Sequence, residues 1–172
     1  AAHPDDEVLG CGGTMARHVS DGDKVYVVFM SDGVSSRVNA KDNEMSERES
    51  CAKKSSKILG AQIPRFFNFP DNRMDTIPML DIVQPLEEVI CKIEPEVVYT
   101  HHSGDLNIDH QITNQATMTA CRPQPGKTIS EIYTFEILSS TGWGAPTVVN
   151  VFTPNTFIEI TDVWKKKAEA LY

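Results

Sequence analysis

Apolar runs bounded by turn residues alternate with helix-period segments from residue 25 to residue 121. That alternation limits what the chain can fold into more than any other feature. Residues 25–30, Val-Tyr-Val-Val-Phe-Met, form an unbroken apolar run. Such a run suits a strand buried on both faces, as in a parallel sheet. Ser31, Asp32 and Gly33 end it, and a polar loop is expected over 34–43. Residues 44–59 have a charged helical pattern with Gly60 as the stop. There Glu44 and Arg48 are spaced as an i,i+4 ion pair. A short strand follows over 65–69, closed by Pro70, Asp71 and Asn72 in turn chemistry. A helix over 80–93, with Pro85 near its first turn, leads to a strand over 96–100. A helix over 109–121 comes next, capped by Asn107 or Asp109. Earlier, residues 10–20 carry Met15, Ala16 and Val19 at helical spacing before Asp21 and Gly22. Gly12 and Gly13 fit either tight helix–sheet packing or a phosphate cradle. After residue 121 the pattern predicts strands over 131–136, 147–152 and 156–160, turns over 142–146 and 154–155, and a last helix opened by Asp162. Strand–helix alternation of this kind implies a parallel sheet with helices on both faces. Its ligands bind at the carboxyl ends of the strands.

No linker long enough to divide domains interrupts the 172 residues, so one domain is expected over 1–172. Residue 1 already lies inside a motif and residue 172 stops in a helical pattern, so the chain is expected to be trimmed at both ends, with a first strand upstream of Ala1. A net charge of −8, from 24 acidic and 16 basic residues, argues against nucleic acid or an anionic membrane surface as the main partner. No apolar run approaches the ~18 residues of a membrane span. Cys11, Cys51, Cys91 and Cys121 form no CxxC pair. They read as isolated buried thiols of a reducing compartment, which points to the cytoplasm.

Chemistry concentrates at two places. The first is Ala2-His3-Pro4-Asp5-Asp6-Glu7, followed by Gly10-Cys11-Gly12-Gly13. Pro4 lacks an N–H and fixes φ, so the stretch reads as a rigid turn aiming several side chains at one spot. The second is His101-His102-Ser103-Gly104-Asp105-Leu106-Asn107-Ile108-Asp109-His110, at a predicted strand-to-helix junction. His3, Asp6 and His110 make a plausible 2-His-1-carboxylate set for zinc, with another divalent ion as the alternative. A water on such an ion would serve as nucleophile, and Asp5 stands beside it as general base. His101 and His102 are candidate oxyanion donors, and each also reads as a packed or solvated histidine. Asp105 and Asp109 could orient the histidines. From spacing alone Arg48 is a solvated ion-pair partner and Asp71 a turn residue.

The opening motif, Arg48-Glu49, Phe69-Pro70-Asp71 and Asn107-Ile108-Asp109-His110 together resemble the PIG-L / LmbE-like zinc-dependent N-acetylglucosaminyl de-N-acetylases over most of residues 1–121. The resemblance implies a Rossmann-like three-layer α/β sandwich with a mainly parallel sheet. It implies His3, Asp6 and His110 as metal ligands and Asp5 as base. It implies Arg48 and Asp71 as sugar contacts, with Asn107 also in the substrate site. The expected reaction removes acetate from an N-acetylated amino sugar or glycoconjugate. One departure is that many members carry a His where this chain has Asn107. Asn donates a hydrogen bond but no proton. Two other readings compete: a metal-dependent phosphoesterase, and a carbohydrate-binding relative without catalysis. The expected partner is a small-molecule or glycoconjugate substrate, and a homo-oligomer is compatible with the sequence.

Overall fold

The computed structural model describes residues 1–38, 43–126, 128–144, 147 and 150–172. Part of the expected loop over 34–43, part of the turn over 142–146 and residues 148–149 of an expected strand lie outside the described residues. The chain divides into two compact units, Ala1–Asp71 with Thr153–Tyr172, and Asn72–Phe152. The fold is mixed α/β, and all strand pairing among the described residues is parallel, as the alternation predicts.

In the first unit, β1 (Val28–Ser31) pairs with β2 (Arg65–Phe69). Phe29 lies opposite Phe66, and their rings stack 5.2 Å apart. The register slips between Phe29 and Ser31, next to Asn68, whose φ is 56°. On the other edge of β1, Ala1 and Ala2 accept from the amides of Met30 and Ser31. His3 is thereby delivered to the carboxyl end of β1, and Asp71 follows the carboxyl end of β2. Helix α1 (Asp6–Asp21) begins at Asp6, earlier than the expected residue 10, because the turn through Pro4 ends at once. It stops at Gly22, φ 98°, as α2 (Glu44–Leu59) stops at Gly60, φ 83°. Both pack against α5 (Trp164–Ala170). Val8, Met15, Ala16, Phe29, Met30, Ala52, Leu59 and Val163 form the core. A Cβ on Gly13 would lie 2.6 Å from Ile160 Cδ1, so close packing is the role this glycine fills.

In the second unit, β3 (Val97–His101) pairs with β4 (Glu131–Phe135), with Tyr99 stacked on Tyr133 at 5.4 Å. Helix α3 (Met79–Ile93) buries Ile82, Val83, Leu86 and Val89, one apolar face at helical spacing. Pro85 sits inside this helix, deeper than its first turn. Helix α4 (Ile108–Ala120) packs on α3 and β3.

Two expected elements are corrected. Residues 156–160 form no strand. Phe157 is exposed at 81%, so the alternating pattern there has no sheet face to serve. Residues 150–152 are irregular as well, opening with a turn in which Asn150 donates to the Thr147 carbonyl. The last helix is preceded by a 3-10 turn over Thr161–Val163. Among the described residues no helix is long and apolar enough to cross a membrane.

Candidate functional site

The first unit gathers His3, Asp5, Asp6, Arg48 and Asp71 at the carboxyl ends of its strands. Asp6 Oδ2 accepts the His3 amide at 2.8 Å and lies 3.2 Å from His3 Nδ1. Two ligands ~2.0–2.1 Å from a tetrahedral zinc are separated by about 3.3 Å, so this pair already has the spacing of neighbouring donors. The other ring nitrogen, His3 Nε2, lies 3.2 Å from Asp71 Oδ1. Asp71 is buried and also accepts from the Ser36 hydroxyl, while its amide donates to Ser35 Oγ. Burial pushes the Asp71 carboxyl up, but the bonds from His3 and Ser36 outweigh it and hold it at about 2.

Asp5 has φ 127°, in a region that favours glycine. Holding a non-glycine residue there costs on the order of 1–3 kcal/mol, so the neighbours must impose it. They do so from three sides. Glu7 Oε2 accepts the Asp5 amide at 3.1 Å. The Asp5 carbonyl accepts from Val8 and Leu9 as α1 starts. Arg48 Nη2 donates to the Pro4 carbonyl at 2.8 Å and to Asp5 Oδ2 at 3.0 Å. Arg48 thus leaves its expected partner. Glu44 faces Arg37 at 3.6 Å, because the carbonyl and carboxylate of the turn offer the guanidinium two acceptors at once. Desolvation and then Asp6 push the Asp5 carboxyl above its ordinary range, against Arg48 and His3. Burial pushes Glu7 up to about 7.

The second unit arranges His101, Asp105, Asn107, Asp109 and His110. His110 Nδ1 lies 3.2 Å from Asp105 Oδ2, both side chains being almost wholly buried. Asp105 also accepts from Ser140 Oγ at 3.0 Å, Thr141 Oγ1 at 2.6 Å and the Asn107 amide at 2.9 Å. Burial raises the Asp105 carboxyl, but the bonds from His110, Thr141 and Asn107 prevail and keep it at about 2. A carboxylate on Nδ1 directs Nε2 as the atom His110 can give to a metal. His101, fully buried at the end of β3, stacks on the His110 ring at 3.9 Å and 18°. His102 is half-buried, with Nε2 3.0 Å from the Asn150 carbonyl. A Cβ on Gly104 would stand 2.6 Å from the Asn150 backbone, so this close approach requires glycine. Asn107 caps α4, its Oδ1 accepting the Asp109 amide at 2.8 Å. Asp109 is fully buried and accepts the amides of Asn72 and Met74 at 2.7 and 3.1 Å, so it secures a turn.

Sequence reasoning missed Ser35, Ser36, Ser140 and Thr141, which hydrogen-bond to Asp71 and Asp105. Nothing in a lone hydroxyl residue signals this. Glu7 was legible only as one more acidic residue of the motif.

Residues 1–121 match the family model of the GlcNAc-PI de-N-acetylases, PIG-L. The chain belongs to this family. It is 34% identical to YaiS of Escherichia coli K12, an uncharacterized deacetylase, over 72% of this chain and 66% of that protein. It is 30% identical to the 4-oxalmesaconate hydratase of Pseudomonas putida, over 99% of this chain and 69% of that protein. The structure of the N,N'-diacetylchitobiose deacetylase of Pyrococcus horikoshii shares the fold with a TM-score of 0.75, at 21% identity, over 98% of this chain and 65% of that one. The chain thus spans just under two thirds of YaiS and of the archaeal deacetylase.

Proposed function

We propose that the chain carries the catalytic residues of a metal-dependent hydrolase that removes acetate from an N-acetylated amino sugar or glycoconjugate, working as one domain. The family match over residues 1–121 supports the reaction class. The observation that carries the reading is the strained Asp5, fixed beside the His3–Asp6 pair. The donor set fits zinc, or another divalent ion: two imidazoles and a carboxylate, from His3, Asp6 and, by the family pattern, His110. When bound, such an ion supplies Lewis-acid polarisation of the acetyl carbonyl and activation of water. Asp5 takes the proton from the attacking water and returns it to the departing amine. Glu7 and Arg48 hold Asp5 for that transfer. His101, which backs the His110 ring, and His102 are the candidate donors to the developing oxyanion; with Nε2 facing the Asn150 carbonyl, His102 would donate from Nδ1. Arg48 and Asn107 face the sugar in this reading, each beside its structural duty. A cytoplasmic setting agrees with the free thiols.

The test is acetate release from N-acetylhexosamine conjugates. Asp5→Asn should lower kcat by at least about 100-fold, the scale of general acid–base catalysis, with metal affinity retained. Full activity after chelation, or in Asp5→Asn, would overturn the reading. The match to a hydratase along 99% of the chain favours a second reading: water addition to an unsaturated carboxylate by the same metal and base. Turnover of 4-oxalmesaconate without acetate release from any conjugate would select it.

A further inference from the structure

The resemblance makes Asp71 a sugar contact, but its surroundings point elsewhere. The His3 ring lies between two carboxylates, Nδ1 toward Asp6 and Nε2 toward Asp71, each at 3.2 Å. Asp6 belongs to the same turn as His3 and holds its amide. Asp71 arrives from the end of β2, and only 4% of the residue is exposed. The Ser36 hydroxyl fixes Oδ2, and the Ser35 hydroxyl fixes the Asp71 amide. A carboxylate enclosed and aimed in this way meets the His3 imidazole with Oδ1.

We propose that Asp71 is a positioning residue that accepts the His3 Nε2–H, and so fixes the tautomer that turns Nδ1 toward the metal beside Asp6. The arrangement mirrors Asp105 on His110 in the second unit, with the ring nitrogens exchanged. A carboxylate on the outer nitrogen of a ligating histidine sets the ring's orientation and raises its basicity. Losing such a partner typically weakens metal binding about 10–100-fold. The inference rests on His3 being a metal ligand, as proposed above.

Asp71→Asn keeps the shape and removes the charge. On the full chain, competition with a chelator should show Zn2+ held roughly 10–100-fold more weakly than in the parent protein. A sugar contact predicts the opposite split: KM rises while the Zn2+ dissociation constant stays within about twofold, and that result overturns the proposal. Should Asp71→Asn fail to fold, nitrogen-15 NMR of the zinc-loaded parent protein decides. Metal on His3 Nδ1 with a proton on Nε2 supports the proposal, and metal on Nε2 overturns it. A parent protein that takes up no stoichiometric Zn2+ overturns the metal reading itself, which separates that failure from a failure at Asp71 alone.

Discussion

Glu7 shows how one buried side chain ties the active turn to solution conditions. Its carboxyl accepts the Asp5 amide and, through burial, has moved from an ordinary 4.5 up to about 7. Between those values the folded chain keeps a proton that the unfolded chain has released. The folded state therefore binds more protons, and stability falls as pH rises through that window. The gap between 4.5 and about 7 caps the effect at roughly 3 kcal/mol. Glu7→Gln keeps an oxygen for the Asp5 amide and cannot ionise. In chelated protein, its melting temperature should fall less than that of the parent from pH 5 to about 7. Parallel curves would show that Glu7 is ionised throughout. Asp71 and Asp105, both near 2, act in the other direction: their contribution is fully present above about pH 4 and fades as pH falls toward 2.

At the scale of elements, α4 carries His110 and depends on its cap. Asn107→Ala removes the bond to the Asp109 amide and should cost about 1 kcal/mol. For a chain of this size that is a drop of about 2–4 °C in melting temperature, read by calorimetry. An unchanged KM in the same variant would confine Asn107 to capping, and a raised KM would add the sugar contact. The cap itself was legible, because Asn at a strand-to-helix junction has a local reason to be there. So were α2, with its Gly60 stop, and β2, whose bounds match the expected 65–69. Local signals suffice where the cause is local. The partner of Arg48 lies 43 and 44 residues away, at Asp5 and Pro4, so its spacing from Glu44 misled. The hydroxyls of Ser140 and Thr141 reach Asp105 across 35 and 36 residues, with no pattern to announce them. Residues 156–160 have strand composition without a strand's neighbour. Alternation alone does not create a sheet edge to pair with.

For the whole molecule, the four cysteines give a direct check of the packing. Only Cys11 and Cys121 are buried as expected; Cys51 and Cys91 lie on outward faces of α2 and α3 and are exposed, and burial pushes the Cys11 thiol up to about 12. A thiol reagent should modify two groups rapidly in the native protein and all four in denaturant. Four fast groups in native buffer would contradict the core around α1 and α4. The chemical clusters lie at strand ends within each unit: His3 and Asp71 at the carboxyl ends of β1 and β2, His101 as the last residue of β3 and Asp105 just beyond it. The carboxyl ends of parallel strands are where such folds place chemistry.

The backbone angle at Asp5 has a cost for any lineage of this protein. A glycine would occupy that conformation with less strain and would relieve part of the tension stored in the turn. Selection for durability alone would therefore pull against the carboxylate at this position, and variants hardened without regard to turnover would tend to exchange Asp5 for glycine first.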